Sequence, residues 1–179
     1  RLKESAAYFC IPVDMAEIRE ALLMEATGLP NTPHKIRLRV AQDGTILIEA
    51  APIAPPSLWR VAFAAEALDE RNVFLYHKTT CREVYARARA LRPDCDDVLL
   101  WNRQGEMTES TIANIAVKRD GRWLTPPVSC GLLPGVMRAS LLRHGDIQET
   151  VLSQDDVRTA ECIRLINSVR GWIDVELIP

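Results

Sequence analysis

In FLYHKTTCREVYARARALRP, residues 74–93, a lysine separates an aromatic, apolar run from the opening of a helical pattern. The amine of Lys78 is a candidate nucleophile or proton carrier, yet a lysine at the edge of an element is an ordinary surface residue unless its surroundings say otherwise. Three later stretches bear on it. GEMTESTIANIAV (105–117) sets Glu109 in a polar cluster between apolar strands, GLLPGVMRASLL (131–142) places Gly135 at the start of a helix, and RLINSVRGW (164–172) puts Ser168 and Arg170 in a turn after an apolar strand. Taken singly, these read as a solvated strand end, a surface carboxylate, a helix start and a turn.

Together they meet one chemical requirement. A pyridoxal 5′-phosphate site needs a lysine to condense with the aldehyde and an acid to hold the ring nitrogen protonated. For the phosphate it needs backbone N–H groups helped by hydroxyls or an arginine. The amides of Gly135, Val136 and Met137 would offer the free donors and positive dipole end of a helix start, with no Cβ at the first position to obstruct an anion. Other chemistries find less support. His34, His77 and His144 show no metal-ligand spacing, and G-x-S-x-G, H-E-x-x-H, G-x-G-x-x-G and a Walker-type phosphate loop are all missing.

Composition narrows the partners. Over 179 residues, 47% hydrophobic and 26% charged with a net charge of -2, the chain carries enough apolar material for a core and no bias toward nucleic acid or anionic membrane. A small-molecule substrate is the expected partner. Cys10, Cys81, Cys95, Cys130 and Cys162 form no C-x-x-C pair and are odd in number, which fits a reducing compartment better than a disulfide framework. No apolar run approaches the roughly 20 residues of a membrane span and no signal peptide opens the sequence, so a cytoplasmic protein is expected.

The elements that must position these residues follow from periodicity. Leu2, Ala6 and Phe9 share a helical face, and Ile18, Leu22 and Ala26 repeat it after Pro12 and Asp14, which predicts two helices with Asp14 as N-cap. KIRLRVAQDGTILIEA switches to period two around Asp43-Gly44, a hairpin signal. APIAPPSLW, with three prolines, separates this part from the rest and predicts a smaller N-terminal α/β domain over 1–52, a linker over 53–59 and a larger cofactor-binding domain over 60–179. In the latter we read strands at 60–66, 73–77, 97–102, 107–111 and 115–119, a turn at Asp120-Gly121, helices at 80–91 and 135–145, and two closing strands broken at 167–171. The sum is an α+β protein.

In this order, LYHKTT, GEMTESTIANIAV, GLLPGVMR and LINSVRGW resemble the class IV aminotransferases, the fold type IV pyridoxal phosphate enzymes. The wording is closest to 4-amino-4-deoxychorismate lyase domains fused behind para-aminobenzoate synthase component I. RLKESAAYF is similar to the family's H-x-x-R-L-x-x-S-A helix without its first three residues, so the resemblance implies a two-domain fold whose N-terminal domain is truncated here. It implies that Lys78 carries the cofactor and acts as general base, that Glu109 pairs with the ring nitrogen and that Leu133 packs on the ring face. The phosphate would lie on the backbone of Val136 and Met137, the Ser168 hydroxyl and the Arg1 side chain. Arg37 and Arg39 alternate in KIRLRV on one face of a strand that faces the active site in the family; with Arg170 they are candidates for a substrate carboxylate. Branched-chain aminotransferases carry a tyrosine five positions after the lysine, against the cofactor's phenolic oxygen; here Glu83 stands there and Tyr85 two residues on.

Three functions follow as expectations. The first is a lyase in which Lys78 removes the proton from the amine-bearing carbon of 4-amino-4-deoxychorismate, with p-aminobenzoate and pyruvate as products; a lysine enclosed beside a cationic ring nitrogen would have its pKa depressed for that task. The second is a branched-chain or D-amino-acid transaminase, which shares the cofactor residues and returns the proton to the cofactor instead. The third is a non-catalytic domain of a fused synthase. The resemblance also implies a homodimer with its active site near the subunit interface.

Overall fold

The computed structural model describes residues 1–55 and 57–179. Pro56, inside the expected linker, lies outside the described residues. The backbone divides into two compact units, residues 1–55 and 56–179.

The first unit holds α1 (Leu2–Tyr8), α2 (Met15–Thr27) and an antiparallel hairpin of β1 (His34–Val40) and β2 (Ile46–Pro52). Asp14 caps α2: its carboxylate accepts from the N–H groups of Ala16 and Glu17, two amides with no partner inside the helix. At the hairpin turn Gly44 has φ of 90°, and a Cβ there would stand 2.9 Å from the Pro12 carbonyl oxygen. Conformation and space both demand glycine. β1 alternates half-buried and exposed side chains, the signature of a strand with one covered face.

The second unit contains β3 (Trp59–Phe63), α3 (Glu83–Leu91), β4 (Asp97–Trp101), β5 (Met107–Ser110), β6 (Asn114–Arg119), β7 (Arg122–Thr125), α4 (Val136–His144), β8 (Gln148–Glu149), α5 (Gln154–Arg158), β9 (Cys162–Asn167) and β10 (Gly171–Leu177). The strands form one sheet in the order β5-β4-β3-β10-β9-β6-β7-β8. β5 pairs with β4 along one edge and, through Glu109 opposite Asn114, with β6 along the other, so six strands close on themselves in a barrel-like sheet. A core drawn from all six joins Val61, Leu99, Met107, Ile115, Leu165 and Ile173. α3 packs Tyr85 and Ala88 against Ala62, Val98 and Leu100, while α4 packs Met137, Leu141 and Leu142 near Ala116 and Ile166. The α+β class is as expected.

Local differences have physical causes. The run expected as a strand at 73–77 is a 3-10 turn over Val73–Leu75: the Asn72 side chain accepts from the Phe74 N–H, and Leu75 is fully buried. An apolar run this short has no period to separate the two forms. α5 was not expected; Ser153 and Asp156 form a reciprocal capping box at its start. The Asp120-Gly121 turn joins β6 to β7 with φ of 48° and 73° at its two residues, the left-handed pair a tight hairpin needs.

Candidate functional site

Glu109 sits on β5 and is buried. Its Oε1 accepts from the Tyr85 hydroxyl at 2.7 Å and from the Leu133 N–H at 3.2 Å, and its Oε2 from Asn114 Nδ2 at 3.3 Å. These donors come from α3, the segment before α4, and β6, so the carboxyl is held where the two covering helices meet the closing strand pair. Burial is the dominant influence and raises the Glu109 pKa to about 8, although the Tyr85 and Leu133 hydrogen bonds and the charges of Lys78 and Arg82 pull the other way. The Tyr85 hydroxyl is itself pushed far above its ordinary range by burial and by the carboxylate beside it.

Asn114 links the carboxyl to the helix start. Its Nδ2 donates to the Leu133 carbonyl at 2.9 Å, and its Oδ1 would lie 2.1 Å from a Cβ at position 135. Gly135 is therefore required by contact with Asn114, in addition to any anion it could admit. It is the N-cap of α4 and supplies no side-chain acceptor, which leaves the first amides of the helix, from Val136 and Met137, without a capping partner of that kind. Ile166 pairs with Asn114 across β9 and β6, and the turn with Ser168 and Arg170 begins two residues later, at the same end of the sheet. In that turn Asn167 Oδ1 accepts from the N–H groups of Val169 and Arg170, Ser168 is exposed, and the Arg170 guanidinium lies 5.4 Å from the centre of the Trp59 ring.

Lys78 follows the 3-10 turn and is exposed to solvent, so the enclosure expected around its amine is not provided here; its charge nevertheless acts on Glu109. Leu133 is half-buried and meets Glu109 through its backbone. Lys78, Glu109, Leu133, Gly135, Val136, Met137, Ser168 and Arg170 all belong to the second unit. The other three candidates belong to the first. There Arg37 and Arg39 share the exposed face of β1, both reaching Glu49, at 3.9 and 2.9 Å, and Arg1 stands at the N-cap of α1.

The sequence does not announce Tyr85 and Asn114 as donors to the acid, nor Arg82 as a cation beside it. Asn114 lies inside TESTIAN, three residues after Thr111, and an amide opening an apolar strand was the available signal. Arg82, four residues after Lys78, stacks 4.4 Å over the Tyr85 ring and donates to the Thr111 carbonyl, which fixes a cation beside the acid.

A buried acid fed by three donors, a lysine charge close by, and a helix start without a side-chain cap thus lie together in the second unit. The family model described as "Amino-transferase class IV" matches residues 1–178, and this chain belongs to that family. It is 34% identical over 148 residues to "Putative aminodeoxychorismate lyase" of Schizosaccharomyces pombe, covering 76% of this chain and 63% of that protein. It is 28% identical over 190 residues to "Aminodeoxychorismate lyase" of Saccharomyces cerevisiae, covering 78% and 50%. The chain thus spans between 42% and 63% of the lengths of the curated relatives it matches. Among solved structures, a "Putative amino-acid aminotransferase" from Mesorhizobium loti superposes with a TM-score of 0.91 at 38% identity, over 99% of this chain and 88% of that one. The 4-amino-4-deoxychorismate lyase of Pseudomonas aeruginosa shares the fold, with a TM-score of 0.81 at 24% identity over 99% and 74%.

Proposed function

We propose that this chain is the cofactor-binding part of a pyridoxal 5′-phosphate enzyme that converts 4-amino-4-deoxychorismate to p-aminobenzoate and pyruvate. The observation that carries the cofactor is Glu109: a buried carboxyl whose Oε1 accepts from Tyr85 and Leu133, while Oε2 accepts one long bond, from Asn114, among the hydrogen bonds of the described residues. An acceptor left open in this way fits a ring N–H, and a neighbouring positive charge would offset the cost of its burial. The reaction is supported by the two yeast relatives named as aminodeoxychorismate lyases.

When bound, pyridoxal phosphate supplies an aldehyde that condenses with amines and a ring that withdraws electrons from the carbon bearing the amine. Glu109 Oε2 would accept from the ring nitrogen and keep it protonated. The Val136 and Met137 amides and the Ser168 hydroxyl would take the phosphate. Lys78 Nζ would hold the cofactor and, once displaced by the substrate's amine, take the proton from the amine-bearing carbon. The enolpyruvyl oxygen leaves from the same ring, which becomes aromatic, and pyruvate and p-aminobenzoate together account for every atom of the substrate. Arg170 in the second unit is a candidate for a substrate carboxylate, as are Arg37 and Arg39 in the first, where Arg1 is a candidate for the phosphate; the working unit proposed is a homodimer, alone or joined to a para-aminobenzoate synthase component.

The 38% identity to the Mesorhizobium loti aminotransferase favours a second reading, transamination of a simple amino acid, in which Lys78 returns the proton to the cofactor. The two are separated by incubating the protein with pyridoxal phosphate and 4-amino-4-deoxychorismate in the absence of any keto acid. Equimolar p-aminobenzoate and pyruvate, lost in Lys78→Ala together with borohydride-trapped cofactor, is the expected result. A Lys78→Ala protein with full turnover would refute the assignment. Amino-acid-dependent conversion of the cofactor to pyridoxamine phosphate, without p-aminobenzoate, would replace lyase with transaminase.

A further inference from the structure

Tyr85 belongs to no role assigned so far, although it makes the shortest hydrogen bond to Glu109, at 2.7 Å. Its ring is packed with Ala62, Leu75 and Val98 in the core beneath α3, and the Arg82 guanidinium covers it at 4.4 Å, so the hydroxyl has little freedom to turn elsewhere. Arg82 is anchored in turn on the Thr111 carbonyl, two residues beyond Glu109 on the same chain segment. The hydroxyl and the Leu133 N–H converge on the same oxygen, Oε1. That convergence fixes the rotation of the carboxyl about its last bond and leaves Oε2, with one long bond from Asn114 among the described residues, as the acceptor with spare capacity.

We infer that Tyr85 is a positioning residue that sets both the orientation and the proton affinity of Glu109, holding Oε2 ready to accept from a ring N–H. The inference rests on the functional reading for the identity of that donor; the orientation itself rests on Tyr85, Leu133 and Asn114. The charged groups acting on Glu109 are Lys78, exposed at the end of the 3-10 turn, and Arg82, at the start of α3. Both favour the carboxylate. Tyr85 remains a donor over the whole working range because burial holds its own proton on. A donor to the charged form stabilises that form, so losing it moves the acid's titration upward.

The test is a pH titration of the Glu109 carboxyl carbon by NMR, on protein labelled with δ-13C glutamate and kept free of pyridoxal phosphate. The resonance is assigned as the one lost in Glu109→Gln. Tyr85→Phe, which keeps the ring, is expected to raise the midpoint by about one to two pH units, the worth of one hydrogen bond to a charged group. Site-specific 3-fluorotyrosine at position 85, a stronger donor of almost the same shape, is expected to lower it. An unmoved midpoint in the fluorinated protein overturns the inference, as does a fall in Tyr85→Phe; if Tyr85→Phe does not fold, the fluorinated protein decides alone. Because no cofactor is present, failure of the wild-type chain to bind pyridoxal phosphate would refute the functional reading without touching this result.

Discussion

Glu109→Gln is expected to remove a large pH dependence from the stability of the cofactor-free protein. Glutamine keeps an Oε1 that accepts from Tyr85 and Leu133 and gives up only the 3.3 Å bond from Asn114, whose NH2 would then face another NH2. What it removes is ionisation. A buried acid with its pKa raised from 4.5 to about 8 holds its proton more tightly in the folded chain than in the unfolded one. Its contribution is therefore fully present below pH 4.5, declines as pH rises through the window from 4.5 to about 8, and is gone above it. At about 1.4 kcal/mol per pH unit the whole window spans about 5 kcal/mol, of which roughly 3 are lost by pH 7. At pH 5 the two proteins should be about equally stable, because the weakened Asn114 contact, about 1 kcal/mol, is nearly offset by the part of the window wild type has already titrated through. By pH 8.5 it should be the more stable by about 3 kcal/mol or more. Urea unfolding at pH 5, 7 and 8.5, without pyridoxal phosphate, measures the difference between the two proteins, and contributions from other titrating groups cancel in it. Parallel stabilities across that range would show that the carboxyl is ionised without cost, and the argument that it awaits a cationic partner would fall.

Other substitutions probe the scaffold of the site. Gly135→Ala should push a methyl into Asn114 Oδ1, now 2.1 Å from that position, costing about 1–3 kcal/mol in urea unfolding and weakening inorganic phosphate binding. A normal stability would mean that Asn114 moves freely. Arg138, only 3% exposed, is paired with Glu149 and the Pro126 carbonyl, so Glu149→Gln should cost roughly 2–3 kcal/mol by thermal unfolding; a neutral result would show that the carbonyl alone satisfies the guanidinium. Ser153→Ala removes the cap of α5 and should cost about 1 kcal/mol, with faster amide exchange at Asp156 as its local mark.

How far the sequence could be read depends on the range of the interactions. Asp14 capping α2, the Asp43-Gly44 turn and Gly145 closing α4 in a left-handed conformation are decided within a few residues, and each was legible. The helix expected from 80 begins at Glu83, and the strand expected over 60–66 ends at Phe63, boundaries that depend on packing rather than on local preference. The 3-10 turn at Val73–Leu75 escaped because its apolar side chains answer to the core under α3. In the site, the types of Lys78 and Glu109 and the helix start at Gly135 stand out in the sequence. The grip of Tyr85 on Glu109 spans 24 residues and depends on how α3 lies on the sheet, so nothing periodic announces it. The exposure of Lys78 likewise follows from tertiary arrangement.

The pairing of Glu109 with Asn114 closes the ring of strands, and that places the acid on the seam of the barrel. Side chains alternate between faces along a strand, so a slip of β5 by a single residue would offer Thr108 or Ser110 to the site and turn the carboxylate to the opposite face. A chain mispaired in this way could keep most of its sheet and much of its core and still lack an acid where the ring nitrogen would lie. The carboxylate thus acts as a checkpoint for topology: only a molecule that has joined its ends in the correct register carries a usable site, and the capacity to bind counts the correctly closed molecules in a refolded population.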